Sequence, residues 1–238
     1  METDLRGDAL RKNVGMGSAS AGVECGHSIY SGGGDEMKLS LVIPVHDLEK
    51  YIEPLLCSLR FQECDHDEIE PIFICDCCMD KTHELVERGL RDSYKNMVVI
   101  DREYRSSGLG RNDGIERATG DYIWLLDGDD WLIDNYAFAK VLKFFEEYPD
   151  EKIVHVGWVS NSFRMPDYLF TVWQWVLCSD WAKKVKFTNR PFDDDVEWVH
   201  ALNATYGLEG TKSITDPFYF YNYMRPGSVM TERIKNKQ

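Results

Sequence analysis

Asp127, Asp129 and Asp130 crowd the exit of the apolar run Tyr122 to Leu126. Carboxylates that close repel one another, and the arrangement is costly unless a cation or a hydrogen-bond network neutralises it. Hard divalent cations take oxygen ligands, and Mg²⁺ or Mn²⁺ commonly uses one or two carboxylates together with substrate phosphates. The run reads as a metal site at a strand end awaiting a phosphorylated ligand, or as an acidic turn, for which Asp-Gly-Asp-Asp is equally suitable. A second acidic group, Asp193 to Asp195, stands just before a helix expected from about Val196, where the macrodipole favours negative charge. Cys75, Cys77, Cys78 and His83 invite a zinc reading. Their spacing lacks the two-plus-two pattern of structural zinc sites, and reduced cysteines filling a buried strand exit are the simpler account.

The elements that must position these residues follow from hydrophobic patterning. Leu39 to Ile43, Ile69 to Ile74, Asn96 to Ile100 and Tyr122 to Leu126 read as buried strands. Helices fall between them. The first begins near Leu48, capped by Asp47, with Tyr51, Ile52, Leu55, Leu56 and Leu59 on one face. The second begins at about Lys81, with Asp80 and Thr82 as its cap. The third follows a Gly-rich turn, Ser106 to Gly110, carries Arg111, and ends at Gly120. Strand and helix alternating at this spacing give parallel βαβ units and a doubly wound, mainly parallel sheet with helices on both faces. Ligands bind such sheets beyond the carboxyl ends of the strands, so Asp47, Asp76, Asp80 and the Asp127–Asp130 cluster should converge on one rim. Further on come a helix over about 135–148, a strand from Lys152 to Gly157, an aromatic stretch from Tyr168 to Phe187, and an alternating strand from Pro217 to Tyr223.

The totals narrow the class. With 27 basic and 41 acidic residues the net charge is −14, which argues against non-specific binding to a polyanion. No run approaches a membrane span. Seven cysteines without a regular framework read as reduced, hence a cytosolic protein. Residues 1–36 show linker-like Ser/Gly stretches and no apolar periodicity, so a disordered or flexible leader is expected ahead of one domain over 37–238. That domain divides into two halves, about 37–133 and about 134–231.

Six segments, in order, resemble the family 2 glycosyltransferases, inverting enzymes of the GT-A fold. Leu41-Val-Ile-Pro-Val-His-Asp47 is similar to the family's opening strand and nucleotide loop. Ile74-Cys-Asp-Cys-Cys-Met-Asp-Lys-Thr82 is similar to its second loop, with Cys75 where the first of two Asp usually stands. Gly108-Leu-Gly-Arg-Asn-Asp-Gly-Ile115 resembles the Gly-Arg-Asn segment, and Asp127-Gly-Asp-Asp130 the DxD signature. Phe192-Asp-Asp-Asp-Val-Glu-Trp198 resembles the Glu-Asp pair that carries the base, with Asp194 in place of Glu. Tyr221-Asn-Tyr-Met-Arg-Pro-Gly-Ser228 is like a frequent C-terminal segment.

The resemblance implies transfer of a sugar from a nucleoside diphosphate, a UDP-sugar first, to an acceptor hydroxyl, with Mn²⁺ or Mg²⁺ as cofactor. It would make about 37–133 a nucleotide-sugar half and about 134–231 an acceptor and catalytic half. Asp129 would hold the metal, with Asp127 on it or on the ribose beside Gly128. Arg111 would meet the diphosphate. Asp76 would accept from a uracil N3–H, with Pro44, Val45, His46 and Asp47 around the base. Asp195, with Asp194 second and Asp193 flanking, would be the base. Trp173 and Trp198 would face the acceptor, while Trp175 and Trp181 belong to the core. The acceptor class stays open among glycan, lipid-linked sugar, protein and modified nucleobase. The competing readings are a sugar-nucleotide-binding protein without turnover and a nucleotidyltransferase. Against the latter, no Gly-rich basic run follows the first strand.

Overall fold

The computed structural model describes residues 37–161, 171–190, 194–223, 225–228 and 231. The expected leader and Asp193 lie outside them. The first part of the described chain is β1 (Leu39–Val45), α1 (Glu53–Arg60), β2 (Ile69–Asp76), α2 (Thr82–Leu90), β3 (Val98–Arg102), α3 (Ser107–Arg117) and β4 (Tyr122–Leu125). It continues with β5 (Trp131–Leu132), α4 (Ala137–Glu147), β6 (Ile153–Ser160), β7 (Trp175–Cys178), α5 (Ser179–Lys184), α6 (Asp194–Tyr206) and β8 (Ser213–Tyr221). The strands form a single sheet in the order β3-β2-β1-β4-β7-β6-β8-β5. Its first half is the parallel sheet expected, through the β2–β3, β1–β2 and β1–β4 pairs. Its second half is mixed: β7 runs antiparallel to β4 and β6, while β8 is parallel to β6 and antiparallel to β5.

The central strands are apolar on both faces because both are covered. Alternate residues of β1, Leu39, Leu41, Ile43 and Val45, enter the core that also takes up Leu55, Leu56 and Leu59 of α1 and Phe138, Val141 and Phe145 of α4. Val42 points the other way, into a core with Ile72 and Ile74 of β2, Ile115 of α3 and Trp198 and Leu202 of α6. Period-2 side-chain alternation with a helix layer on each side yields the continuous apolar runs seen in the sequence. Each such side chain contributes about 1.5–3 kcal/mol by leaving water. On the second face α3 lies close against the sheet because Gly114 has no side chain where Val42 sits.

Several local expectations are corrected. Helix α1 starts at Glu53, five residues later than read, so Pro54 occupies its first turn, where a missing N–H costs nothing. Asp47 caps no helix: it has a φ of 46°, and its Oδ1 accepts from the backbone N–H groups of Met79 and Asp80 at 2.7 and 3.3 Å. The Gly-rich turn is already helix, since α3 begins at Ser107 and Ser106 caps it through Leu109 N–H. Gly120 stands beyond the end of α3, and a Cβ there would meet Ser40 Oγ at 2.7 Å, so close approach to β1 requires the glycine. Strand β7 has no counterpart in the sequence reading. Its four residues sit between a 3₁₀ turn and α5, too few to display a period.

Candidate active site

The loops after β1, β2, β3 and β4 meet at the carboxyl edge of the parallel half, as the fold rule requires. Asp76 ends β2 and is buried. Its Oδ1 accepts from Tyr104 N–H at 2.6 Å and Arg105 N–H at 3.0 Å, and its Oδ2 from Ser106 N–H at 2.8 Å. This carboxylate therefore shapes the β3–α3 loop, with acceptor capacity remaining on Oδ2. His46 Nδ1 donates to the Asp76 carbonyl at 2.6 Å, which leaves its largely exposed ring fixed beside that loop. Pro44 and Val45 pair in register with Ile74 and Cys75. A Cβ on Gly128 would come within 2.6 Å of the Val45 and Leu48 side chains, so the Asp-Gly-Asp turn is seated directly on the end of β1.

The N-cap of α2 is Lys81, with no side-chain cap bond, rather than Asp80 or Thr82; Asp80 Oδ1 accepts from Thr82 N–H at 2.9 Å, and Oδ2 accepts from Glu49 N–H at 2.8 Å. Thr82 Oγ1 in turn accepts from Leu48 N–H at 2.6 Å. The loops after β1 and β2 are thus tied to each other through backbone donors.

Arg111, in the second turn of α3, is buried and forks between two carboxylates. Nη2 reaches Asp127 Oδ1 at 2.7 Å and Nη1 reaches Asp194 Oδ2 at 3.3 Å. Ser107 Oγ adds a 3.1 Å bond to the same Asp194 oxygen. Gly108 makes room for this meeting, since a Cβ there would lie 2.8 Å from Asp194 Oδ2 and 2.9 Å from the Thr188 carbonyl. Burial opposes the Arg111 charge, but Asp127, Asp194 and Asp195 outweigh it and its pKa rises. Burial likewise raises the pKa of Asp127, with Arg111 pulling it back and Asp129 pushing it further up. Asp195, the second residue of α6, is pushed up to about 6 by burial, with Arg111 opposing and Asp194 and Asp127 adding.

The three carboxylates of the β4–β5 turn have separate neighbours. Asp130 is buried and fully satisfied: Tyr219 Oη donates to Oδ2 at 2.6 Å and Asn222 N–H to Oδ1 at 2.8 Å. Burial, with Asp129 and Asp127 nearby, raises its pKa well above the usual range. Tyr219 Oη also accepts from Asp127 N–H at 3.3 Å, so one phenol binds the turn to β8. Asp129 pairs with Arg225 Nε, and the Arg225 guanidinium lies 4.7 Å from the centre of the Tyr51 ring.

Sequence reading assigned no role to Tyr219, Asn222 or Arg225. The signal for Arg225 was a lone cation before Pro-Gly at a turn. Asn222 lay, like Arg225, in the family-like segment Tyr221–Ser228, which gave it no partner, and Tyr219 gave no signal, because their partners lie far away in the chain.

The two tryptophans expected at an acceptor are placed in the core. Trp173 is 1% exposed, stacks on Tyr219 at 4.6 Å between centroids, and its carbonyl accepts from Trp124 Nε1 at 2.8 Å. Trp198 is equally buried, stacks on Phe187 at 4.9 Å and donates from Nε1 to the Val185 carbonyl at 2.9 Å. Both are occupied by protein, so neither offers a ring face to a sugar. Trp181 stacks on Tyr206, and Trp175 meets His155 edge to face.

A model of glycosyl transferase family 2 matches residues 40–198. Among curated proteins, the Staphylococcus aureus poly(ribitol-phosphate) β-N-acetylglucosaminyltransferase TarS is 32% identical over 136 residues, 56% of this chain and 23% of TarS. The Bacillus subtilis minor teichoic acid biosynthesis protein GgaB is 30% identical over 227 residues, 82% of this chain and 24% of GgaB. The chain therefore spans less than a quarter of the length of these relatives. Among solved structures, S. aureus TarS 1-349 in complex with UDP-GlcNAc superposes with a TM-score of 0.72 at 20% identity, covering 82% of this chain and 61% of that one. The mannosyltransferase PcManGT from Pyrobaculum calidifontis, in complex with GDP-Man and Mn²⁺, superposes with a TM-score of 0.64 at 16% identity, covering 84% of this chain and 60% of that one. At these identities the superpositions speak for a shared GT-A fold.

Proposed function

The chain belongs to glycosyl transferase family 2, and from that premise we propose that it transfers a sugar from a UDP-sugar to an acceptor hydroxyl, with inversion at the anomeric carbon and with help from a divalent cation. The observation that carries this reading is the Arg111 fork, which brings the turn after β4 and the start of α6 to one buried cation. Under this reading Asp127 serves the donor side and Asp195, next to Asp194, the acceptor side of an in-line displacement.

Each part of the site has a task under this proposal. Asp129 and Asp127 offer hard oxygen ligands, and burial already penalises the charge of Asp127, which fits Mn²⁺ or Mg²⁺. Such an ion supplies Lewis-acid stabilisation to a diphosphate leaving group. Arg225 exchanges Asp129 for a diphosphate oxygen, and Arg111 adds positive potential from below. Uracil lies against Pro44 and His46, since the Val45 side chain is buried in the core, with its N3–H directed at the acceptor capacity left on Asp76 Oδ2; a base without that donor would leave a buried acceptor unpaired.

Asp195 takes the acceptor proton over a hydrogen bond of ~3 Å. As the acceptor oxygen bonds to the anomeric carbon, the carbon–oxygen bond to the diphosphate breaks and its electron pair leaves with UDP. A pKa near 6 suits this role, since the carboxylate is ionised at neutral pH yet more basic than a surface Asp. Asp194, bonded to Arg111 and Ser107, positions the start of α6.

The names of TarS and GgaB make poly(ribitol-phosphate) and minor teichoic acid acceptors to screen beside glycans, lipid-linked sugars, proteins and modified nucleobases. The deciding experiment measures UDP release and product anomer from UDP-GlcNAc and UDP-glucose with Mn²⁺, alongside protection from thermal unfolding by UDP-, GDP- and dTDP-sugars. Donor binding without turnover against any acceptor, water included, would favour the binding-protein reading.

A further inference from the structure

The exit of β2 carries a cluster that sugar transfer does not use. Cys75 and Asp101 are partners in the β2–β3 register, so their side chains leave the same face of the sheet. His83, in the first turn of α2, lies over that face with Nδ1 2.9 Å from Asp101 Oδ1. One ligand atom each from Cys75, His83 and Asp101 lie within 4.8 Å of one another. Cys78 completes a Cys-x-x-Cys with Cys75, and its thiol donates to the Val45 carbonyl at 3.5 Å. On the outer side Glu87 stands 3.8 Å from His83 Nε2.

We propose that Cys75, Cys78, His83 and Asp101 form a zinc site that fastens the β2–α2 loop to β3. Two sulfurs, an imidazole and a carboxylate make a closed four-coordinate set of the kind Zn²⁺ takes, and thiolates select it over the Mg²⁺ or Mn²⁺ suited to Asp127 and Asp129. Tetrahedral zinc, with bonds of about 2.0–2.3 Å, spaces its ligand atoms ~3.3–3.8 Å apart. Cys75, His83 and Asp101 have only to tighten by about 1 Å, and Cys78, which stands outside that trio, has to turn inward from its 3.5 Å contact with the Val45 carbonyl. With Nδ1 on the metal, Glu87 is placed to accept from Nε2–H and so hold the tautomer, as carboxylates behind zinc-bound histidines do.

Entry is open, because the Asp101 side chain is 71% and that of His83 37% exposed. Linear spacing conceals this site, since its fourth ligand arrives from a neighbouring strand. The loop it would stiffen holds Asp76 and Asp80, so zinc here would preorganise the base end of the donor pocket without touching the reacting atoms.

The test is metal analysis of the full chain purified without chelator, with Co²⁺ substitution read by absorption. Roughly one zinc per chain, and a cobalt spectrum combining tetrahedral bands with sulfur-to-metal charge transfer, are expected. Cys78→Ser and His83→Gln change exposed or half-buried positions; each should lose zinc and the charge-transfer band while keeping the far-ultraviolet dichroism of the parent. Asp129→Ala should retain both, which separates this site from the catalytic one and makes the outcome independent of sugar transfer. The proposal is overturned by zinc at background level, by zinc retained in a Cys78→Ser/His83→Gln double variant, or by a Cys75–Cys78 disulfide in metal-free protein isolated without oxidant.

Discussion

Asp127 and Asp194 sit on opposite prongs of one guanidinium: Arg111 Nη2 is 2.7 Å from the first and Nη1 3.3 Å from the second. One residue belongs to the turn after β4, the other to the start of α6, and neither reaches the other without the buried arginine between them. Charge balance at this point makes the arginine a keystone for stability and, under the proposed reaction, for turnover.

Replacing Arg111 should therefore be damaging in two ways. Arg111→Ala leaves Asp127 and Asp194 without their shared cation, and breaking a buried pair by removing one partner costs about 3–5 kcal/mol. Arg111→Lys keeps the charge but cannot fork, so it should lose less stability and still lose most transfer. Urea unfolding and initial-rate assays on both variants measure the two losses. Full activity in Arg111→Lys would remove the fork from the mechanism.

The Asp195 pKa of about 6 gives a signed pH dependence. Transfer should rise as pH increases through about 6 and then level off. Because the folded-state pKa lies above the unfolded one, the protonated form is favoured by folding. Its contribution is fully present below the unfolded pKa, near 3.8, and is lost as pH rises through about 6. Asp195→Asn should thus abolish transfer, keep donor binding, and unfold at a higher temperature than the parent at neutral pH, an advantage that vanishes below about pH 4. Near-normal rates in Asp195→Asn, with loss in Asp194→Asn, would move the base to Asp194.

Asp129 and Arg225 should trade partners when donor binds. In Asp129→Ala the divalent-ion dependence of UDP binding should disappear and transfer fall by at least two orders of magnitude, the scale on which single charge-stabilising groups act. EDTA should inactivate the parent, and excess Mn²⁺ should restore it. Unchanged turnover in EDTA would eliminate the metal role.

Tyr219 tests the rear wall. Tyr219→Phe removes the 2.6 Å bond to buried Asp130 and the acceptor for Asp127 N–H, and an orphaned buried group costs about 1–3 kcal/mol. A lowered melting temperature, together with weaker metal affinity, is expected. A fall in stability with unaltered metal affinity would confine Tyr219 to packing.

Much was legible in linear order because it rests on local physics. Period-2 apolar runs and the helices between them dictate a parallel sheet, and a parallel sheet dictates the edge where Asp76, Arg111 and Asp127 must appear. The family-like segments likewise need only their own residues. What required the tertiary structure involves partners brought in from distant strands and loops. Sequence could not say that Asp76 is bound to three backbone N–H groups, that Asp130 is spoken for by Tyr219 and Asn222, or that Arg225 returns to Asp129. Nor could it place Trp173 and Trp198 in the core, because a tryptophan has the same letter whether its ring faces a sugar or a tyrosine. Burial and hydrogen-bond occupancy are properties of three-dimensional neighbours. They separated the carboxylates that hold the fold from those proposed to act on a ligand.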